Sequence, residues 1–229
     1  MLGQKTSRTR QVSVVVVGLG RFGGAVAASL SRQGIDVLGI DADAEIVQKW
    51  SNELEHVVQL DATHDEALAQ VGIGEFDRAV VAIGNDVEAS VLSAVALVEA
   101  GVPEIWAKAV SRKHGRILAK MGVQHVIYPD WSMGERVAHV VGGGMIDYMG
   151  FEDDFALART RAPRETWDRT LAESVPRSRH GVTIVGLKRP SEDFTYARPD
   201  TQVLRGDELI VSGQTARVEA FCALSDLPA

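Results

Sequence analysis

The sequence predicts a doubly wound, Rossmann-like parallel α/β sheet followed by a small α+β domain. Three observations carry that prediction: β-branched runs alternate with helical patterns over residues 12–150, a glycine triplet stands at the first strand-to-helix junction, and the alternation stops past Gly150. A chain of 229 residues exceeds one ordinary domain and falls short of two large ones.

Residues 1–11 are polar and basic without periodicity and read as a flexible tail. The strand patterns that follow are SVVVV at 13–17, DVLGI at 36–40, HVVQL at 56–60, RAVVAI at 78–83, EIWAKA at 104–109 and HVI at 125–127. Apolar runs without strict alternation suit strands covered on both faces, as in a parallel sheet. After Asp86, Val87, Val91, Ala94, Val95 and Val98 recur at helical spacing, and Gly101 followed by Pro103 supplies the stop. A further helix is expected over 131–148, where Met133, Val137, Val140, Val141, Met145 and Tyr148 form one apolar stripe. Such a stripe either packs on its own sheet or serves as a crossover helix shared with a second subunit.

Past Gly150 come an acidic EDD cluster, the segment RAPRETWDR, and two isolated strand patterns, VTIVGL at 182–187 and ELIVS at 208–212. Gly206-Asp207 gives the latter a turn, and Val218, Phe221 and Cys222 mark a closing helix. The expected division is therefore a tail over 1–11, a nucleotide-binding domain over 12–150 and a small domain over 151–229.

Composition narrows the function. A formal net charge of −7 argues against a nucleic-acid partner, which needs clustered Lys and Arg. The single cysteine, Cys222, cannot form an intramolecular disulfide and reads as a buried thiol in a reducing cytoplasm. No run approaches the roughly 18 apolar residues of a membrane span, so action at a membrane requires a partner.

Gly18-Leu19-Gly20-Arg21-Phe22-Gly23 matches GxGxxG directly after the first strand, and Asp41 ends the second strand 18 positions beyond Gly23. Gly18 allows the tight turn, Gly20 lets backbone approach a phosphate, and Gly23 lets the helix pack closely on the strand. The helix N-terminus then offers N–H groups and positive partial charge to phosphates. A carboxylate at Asp41 accepts hydrogen bonds from ribose hydroxyls and repels a 2′-phosphate, which favours NAD, ATP or ADP over NADP. Two cations, Arg21 in the loop and Lys108 at the end of the fifth strand, suit a triphosphate better than a pyrophosphate bridge. There is no Walker A sequence, no HExxH and no cysteine pair, and the six histidines are scattered without a carboxylate at motif spacing. No catalytic residue is expected, and an NAD-dependent oxidoreductase is the enzymatic alternative.

These residues resemble the RCK family (regulators of K+ conductance), in particular cytoplasmic regulatory subunits of the KtrA/TrkA type. The resemblance rests on VVVVGLGRFGGAVA at 14–27, GIDAD at 39–43, QLDAT at 59–63, VAIGND at 81–86, IWAKA at 105–109 and YPDWSMGERVA at 128–138. In the small domain it rests on GVTIVGLKR at 181–189 and DTQVLRGDELIVSG at 200–213.

The resemblance implies that the glycine loop, Phe22 within it, and Asp41 hold phosphate and ribose, that Asp61, Ala62 and Thr63 border the adenine, and that Ala82, Ile83 and Gly84 line the crevice. It implies that Arg21 approaches the terminal phosphate. It further implies dimers assembled into an octameric ring under a K+-translocating membrane subunit of the KtrB or TrkH kind, at the inner face of the membrane, with ATP and ADP favouring different ring shapes. An NAD/NADH-responsive, TrkA-like regulator is the variant reading. Asp130 stands where related chains carry a glutamate that helps bind Mg or Ca, and a helix-capping role before Trp131 is the alternative. Arg177 matches a cyclic di-AMP contact of some members, while Thr183 replaces their usual asparagine.

Overall fold

The computed structural model describes residues 12–225, so the expected tail over 1–11 lies outside the described residues. The chain forms two compact units that meet at Pro129/Asp130.

The first unit runs β1 (Ser13–Val17), α1 (Arg21–Arg32), β2 (Asp36–Asp41), α2 (Ala44–Trp50), β3 (His56–Gln59), α3 (Asp65–Gln70), β4 (Arg78–Val81), α4 (Val87–Glu99), β5 (Glu104–Lys108), α5 (Arg112–Lys120) and β6 (His125–Ile127). Its strands are all parallel, in the order β3-β2-β1-β4-β5-β6. The unbroken valines of β1 follow from this topology. Val15 and Val17 pack with Ile40, Ala79, Val81 and Ile105 on one face, and Val14 and Val16 with Val37, Val80 and Ala27 on the other. Each buried valine contributes roughly 1.5–3 kcal/mol, and neither face could carry alternating polar residues without losing that term.

Three helices of this unit close their N-termini with a side chain. Asp43 accepts from Glu45 N, Asp86 from Ala89 N and Ser111 from His114 N, at 2.8, 3.0 and 3.1 Å. In contrast, α1 has Gly20 at its N-cap position and no side-chain cap.

The second unit contains α6 (Pro129–Gly142), β7 (Met145–Phe151), β8 (Phe155–Arg161), β9 (Arg169–Thr170), α7 (Leu171–Ser174), α8 (Pro176–His180), β10 (Thr183–Lys188), β11 (Thr195–Tyr196), β12 (Gln202–Val203), β13 (Glu208–Gln214) and α9 (Thr215–Ala223). An antiparallel sheet, β11-β10-β13-β8-β7, carries its core on one face, where Tyr148, Ala158, Leu209 and Val211 meet Phe221 and Cys222 of α9. Cys222 is buried, as expected.

Two expectations are corrected here. The helix read over 131–148 ends at Gly142, and Gly144, at φ +63°, turns the chain into β7. Met145 and Tyr148 are therefore inward residues of a strand. A register shift between Met145 and Asp147 puts residues three apart on one face, which mimics helical spacing. The same strand moves the structural boundary from 150 back to Pro129/Asp130, because β7 belongs to the second sheet.

β8 carries no strand pattern in the sequence. Its inward positions are the small residues Ala156, Ala158 and Thr160, and alanine favours helix over strand. The acidic cluster is the turn of the β7–β8 hairpin, with Asp153 and Asp154 both at positive φ (63° and 57°).

Candidate functional site

Five of the six parallel strands deliver a singled-out residue at or just past their carboxyl ends: Gly18 after β1, Asp41 on β2, Asp61 after β3, Ala82 after β4 and Lys108 on β5. The sheet order reverses between β1 and β4, and a ligand crevice opens at such a switch point.

The glycine loop is held with little freedom. Gly18, at φ +89°, donates its N–H to the Ile40 carbonyl at 2.8 Å. Leu19 N–H donates to Asp41 Oδ2 at 2.7 Å, and Asp43 N–H to Asp41 Oδ1 at 2.9 Å. Gly23 is required by contact alone, since a Cβ there would sit 1.8 Å from the Gly18 carbonyl oxygen and 2.7 Å from Ala82 Cβ. Gly20 differs, because a Cβ there would meet no protein atom within 4 Å. Packing does not demand this glycine, and the backbone at this position stays open to approach.

Asp41 fixes the loop, a role that the sequence did not show. Its two oxygens each accept one backbone N–H, and a carboxylate has about four acceptor sites, so capacity for ribose hydroxyls remains. Leu60 N–H bonds the Asp41 carbonyl at 3.0 Å and brings the end of β3 beside it. There Asp61 Oδ1 accepts the Thr63 N–H at 3.0 Å and the Thr63 hydroxyl at 2.7 Å. Those two bonds, with His64 nearby, hold the Asp61 carboxyl below the usual carboxylate range. Ala62 between them is buried.

On the far side of the loop, Ala82 N–H donates to the Val17 carbonyl at 2.7 Å, and Ile83 packs against Gly18. Lys108 Nζ lies 5.7 Å from the Phe22 ring centre and close against Gly84. Phe22, Gly84 and Lys108 therefore stand together, while Arg21, the first residue of α1, is exposed.

Two residues of this neighbourhood, Trp50 and Gly24, carry no motif of their own in the sequence. Trp50 Nε1–H donates to the Leu19 carbonyl at 2.7 Å, and the indole packs on Gly24, where a Cβ would sit 2.0 Å from Cζ2. The available signal was the second glycine of the doublet at 23–24, which GxGxxG does not require.

In the second unit, Arg177 Nε donates to Thr183 Oγ1 at 3.2 Å, so those two residues are brought together. Asp130 is the second residue of α6, inside the helix rather than at its cap. Among the described residues no group of three His, Cys, Asp or Glu could hold a metal ion. His114 is buried.

The crevice and its loop define the first unit as a Rossmann-like nucleotide-binding domain joined to a small β-rich domain. Comparison with known proteins agrees, as residues 14–129 match the TrkA-N domain and residues 167–226 the TrkA-C domain. Ktr system potassium uptake protein C of Bacillus subtilis (strain 168) is 32% identical over 207 residues, covering 90% of this chain and 94% of that one. Ktr system potassium uptake protein A of Vibrio alginolyticus is 31% identical over 207 residues, with the same coverage of 90% and 94%. Among solved structures, the GsuK channel bound to NAD superposes with a TM-score of 0.68 at 14% identity, a likeness of fold. That match covers 99% of this chain, which spans 41% of the channel's length. The chain belongs to the RCK family, built from a TrkA-N and a TrkA-C domain.

Proposed function

We propose that this protein is the cytoplasmic, nucleotide-binding regulatory subunit of a potassium uptake system, and that it gates a K+-translocating membrane subunit without chemistry on its ligand. The carrying observation is the loop at Gly18–Gly23, with Gly20 open, clamped to Asp41 at the strand-order switch of a chain related to Ktr potassium uptake proteins. Among the described residues no helix is long and apolar enough to cross a membrane, so the translocating subunit is a separate partner in this reading.

The ligands are ATP and ADP. The loop's N–H groups serve the phosphates the two share, and Arg21 and Lys108 supply charge for the extra phosphate of ATP. Differential affinity for the two nucleotides then shifts a conformational equilibrium of a homo-oligomeric, octameric ring. The exposed apolar face of α6, with Met133, Val137 and Val141 at 53%, 51% and 82% exposure, supports association between copies. Arg177 and Thr183 are the candidate contacts for cyclic di-AMP.

The GxGxxG loop and Asp41 equally suit NADH, which defines the second reading, an NADH-responsive regulator. Calorimetric titration of the purified protein with ATP, ADP and NADH tests both. Tighter binding of the adenine mononucleotides supports the first reading, and selective binding of NADH overturns it.

A further inference from the structure

We infer that Trp50 is a positioning residue of the nucleotide site, which aims the Gly20 N–H at the ligand by holding the carbonyl of the same peptide bond. The inference rests on the reading of the Gly18–Gly23 loop as a phosphate site.

The geometry is that of one peptide unit gripped from outside the loop. Across a trans peptide the carbonyl and the following N–H point in opposite directions. Trp50 Nε1–H, on the last residue of α2, holds the Leu19 carbonyl at 2.7 Å and so directs the Gly20 N–H away from the indole. On the other side of Leu19, its own N–H is held by Asp41 Oδ2 at 2.7 Å. The two peptide planes that meet at Leu19 are thus set by two side chains, one ending β2 and one ending α2, and Leu19 itself is 1% exposed.

The second glycine of the 23–24 doublet has its explanation here. A Cβ at Gly24 would lie 2.0 Å from Cζ2 and 2.5 Å from Cε2 of Trp50, so the indole reaches the Leu19 carbonyl only because position 24 has no side chain. Gly23 serves the strand-to-helix contact, and Gly24 serves Trp50. Tryptophan is also the residue that combines this flat reach with a single N–H donor and no acceptor; phenylalanine keeps most of the ring and cannot donate.

Trp50→Phe is expected to weaken ATP, ADP and NADH alike, by about 3- to 10-fold, the loss of one hydrogen bond that orients a shared phosphate donor. A residue with only a structural role would lower the melting temperature and leave these affinities in place. A direct readout uses the variant in which Trp106, Trp131 and Trp167 are all replaced by Phe, leaving Trp50 as the sole tryptophan. Its emission is expected to shift saturably with added ATP or ADP, at the concentration where calorimetry finds binding. If the wild type binds nucleotide, Trp50→Phe binds equally tightly and the Trp50 emission stays constant, the positioning role is overturned and the phosphate-site reading stands. Should the wild type bind none of the three nucleotides, both fall together. Should Trp50→Phe not fold, the sole-tryptophan variant decides, since it retains Trp50.

Discussion

Leu19 donates its N–H to Asp41 Oδ2 at 2.7 Å, so the carboxylate expected to meet a ribose also shapes the turn expected to meet phosphate. Asp41→Ala should therefore weaken ATP, ADP and NADH together and lower the melting temperature as well. Each hydrogen bond to the charged acceptor contributes roughly 1.5–3 kcal/mol. Asp41→Asn, which keeps one acceptor oxygen, should recover part of the stability and less of the affinity. Calorimetry beside thermal denaturation separates the two effects; unchanged affinity in both variants would remove Asp41 from the site.

Gly20 and Gly23 should respond oppositely to the same added methyl group. Gly20→Ala fits the protein, since the backbone there is extended with a negative φ of −61° and no protein atom lies within 4 Å of the new Cβ. It should melt within a few degrees of wild type yet bind nucleotide about tenfold or more weakly, because the methyl occupies the phosphate approach. In Gly23→Ala the Cβ collides with the Gly18 carbonyl at 1.8 Å, so stability should fall by about 1–3 kcal/mol or more. A Gly20→Ala protein with wild-type affinity would mean that the ligand does not approach this backbone.

His114 is 2% exposed, its Nε2 meets no hydrogen-bond partner among the described residues, and burial pushes its pKa below the ordinary imidazole range. Protonation thus favours the unfolded chain. The stability tied to neutral His114 is present above the unfolded-state pKa, falls as the pH drops through that value and levels off below the folded-state pKa. His114→Asn keeps an acceptor toward the Val110 N–H and does not titrate. Its denaturant midpoint should vary less than wild type between about pH 5 and 7. Parallel wild-type and variant curves would show that His114 is not the titrating group.

Association between copies should depend on α6, none of whose residues is buried. Replacing Val137 and Val141 with Glu should reduce the mass measured by light scattering with little change in melting temperature. A wild-type protein that already runs as a monomer of 24.7 kDa at micromolar concentration would contradict the assignment.

Much of the first unit was legible in the sequence because a parallel sheet buries both faces, and the valines at 14–17 have no other reading beside GxGxxG and Asp41. Most of the singled-out crevice residues fall at strand ends for the same reason: in this topology the sequence position of a strand end is also its place at the ligand crevice. The second unit was harder. Ala156, Ala158 and Thr160 make a strand whose inward side chains are too small to show an apolar alternation, and the shift at Met145/Asp147 gives β7 a helical period. Trp50 escaped notice because its role is a contact across 31 positions, from the end of one helix to the loop before another. Only the doublet at 23–24 hinted at it.

In the proposed function, nucleotide held at the glycine loop controls K+ movement, and Arg21 is the residue whose replacement tests this most sharply. Potassium flux reconstituted with the partner membrane subunit should differ between saturating ATP and saturating ADP for the wild type. For Arg21→Ala that difference should shrink, with ATP affinity reduced more than ADP affinity, because a ligand shifts a two-state equilibrium only through its differential affinity. Equal losses of ATP and ADP affinity, with the full ATP-over-ADP difference in flux retained, would contradict the account.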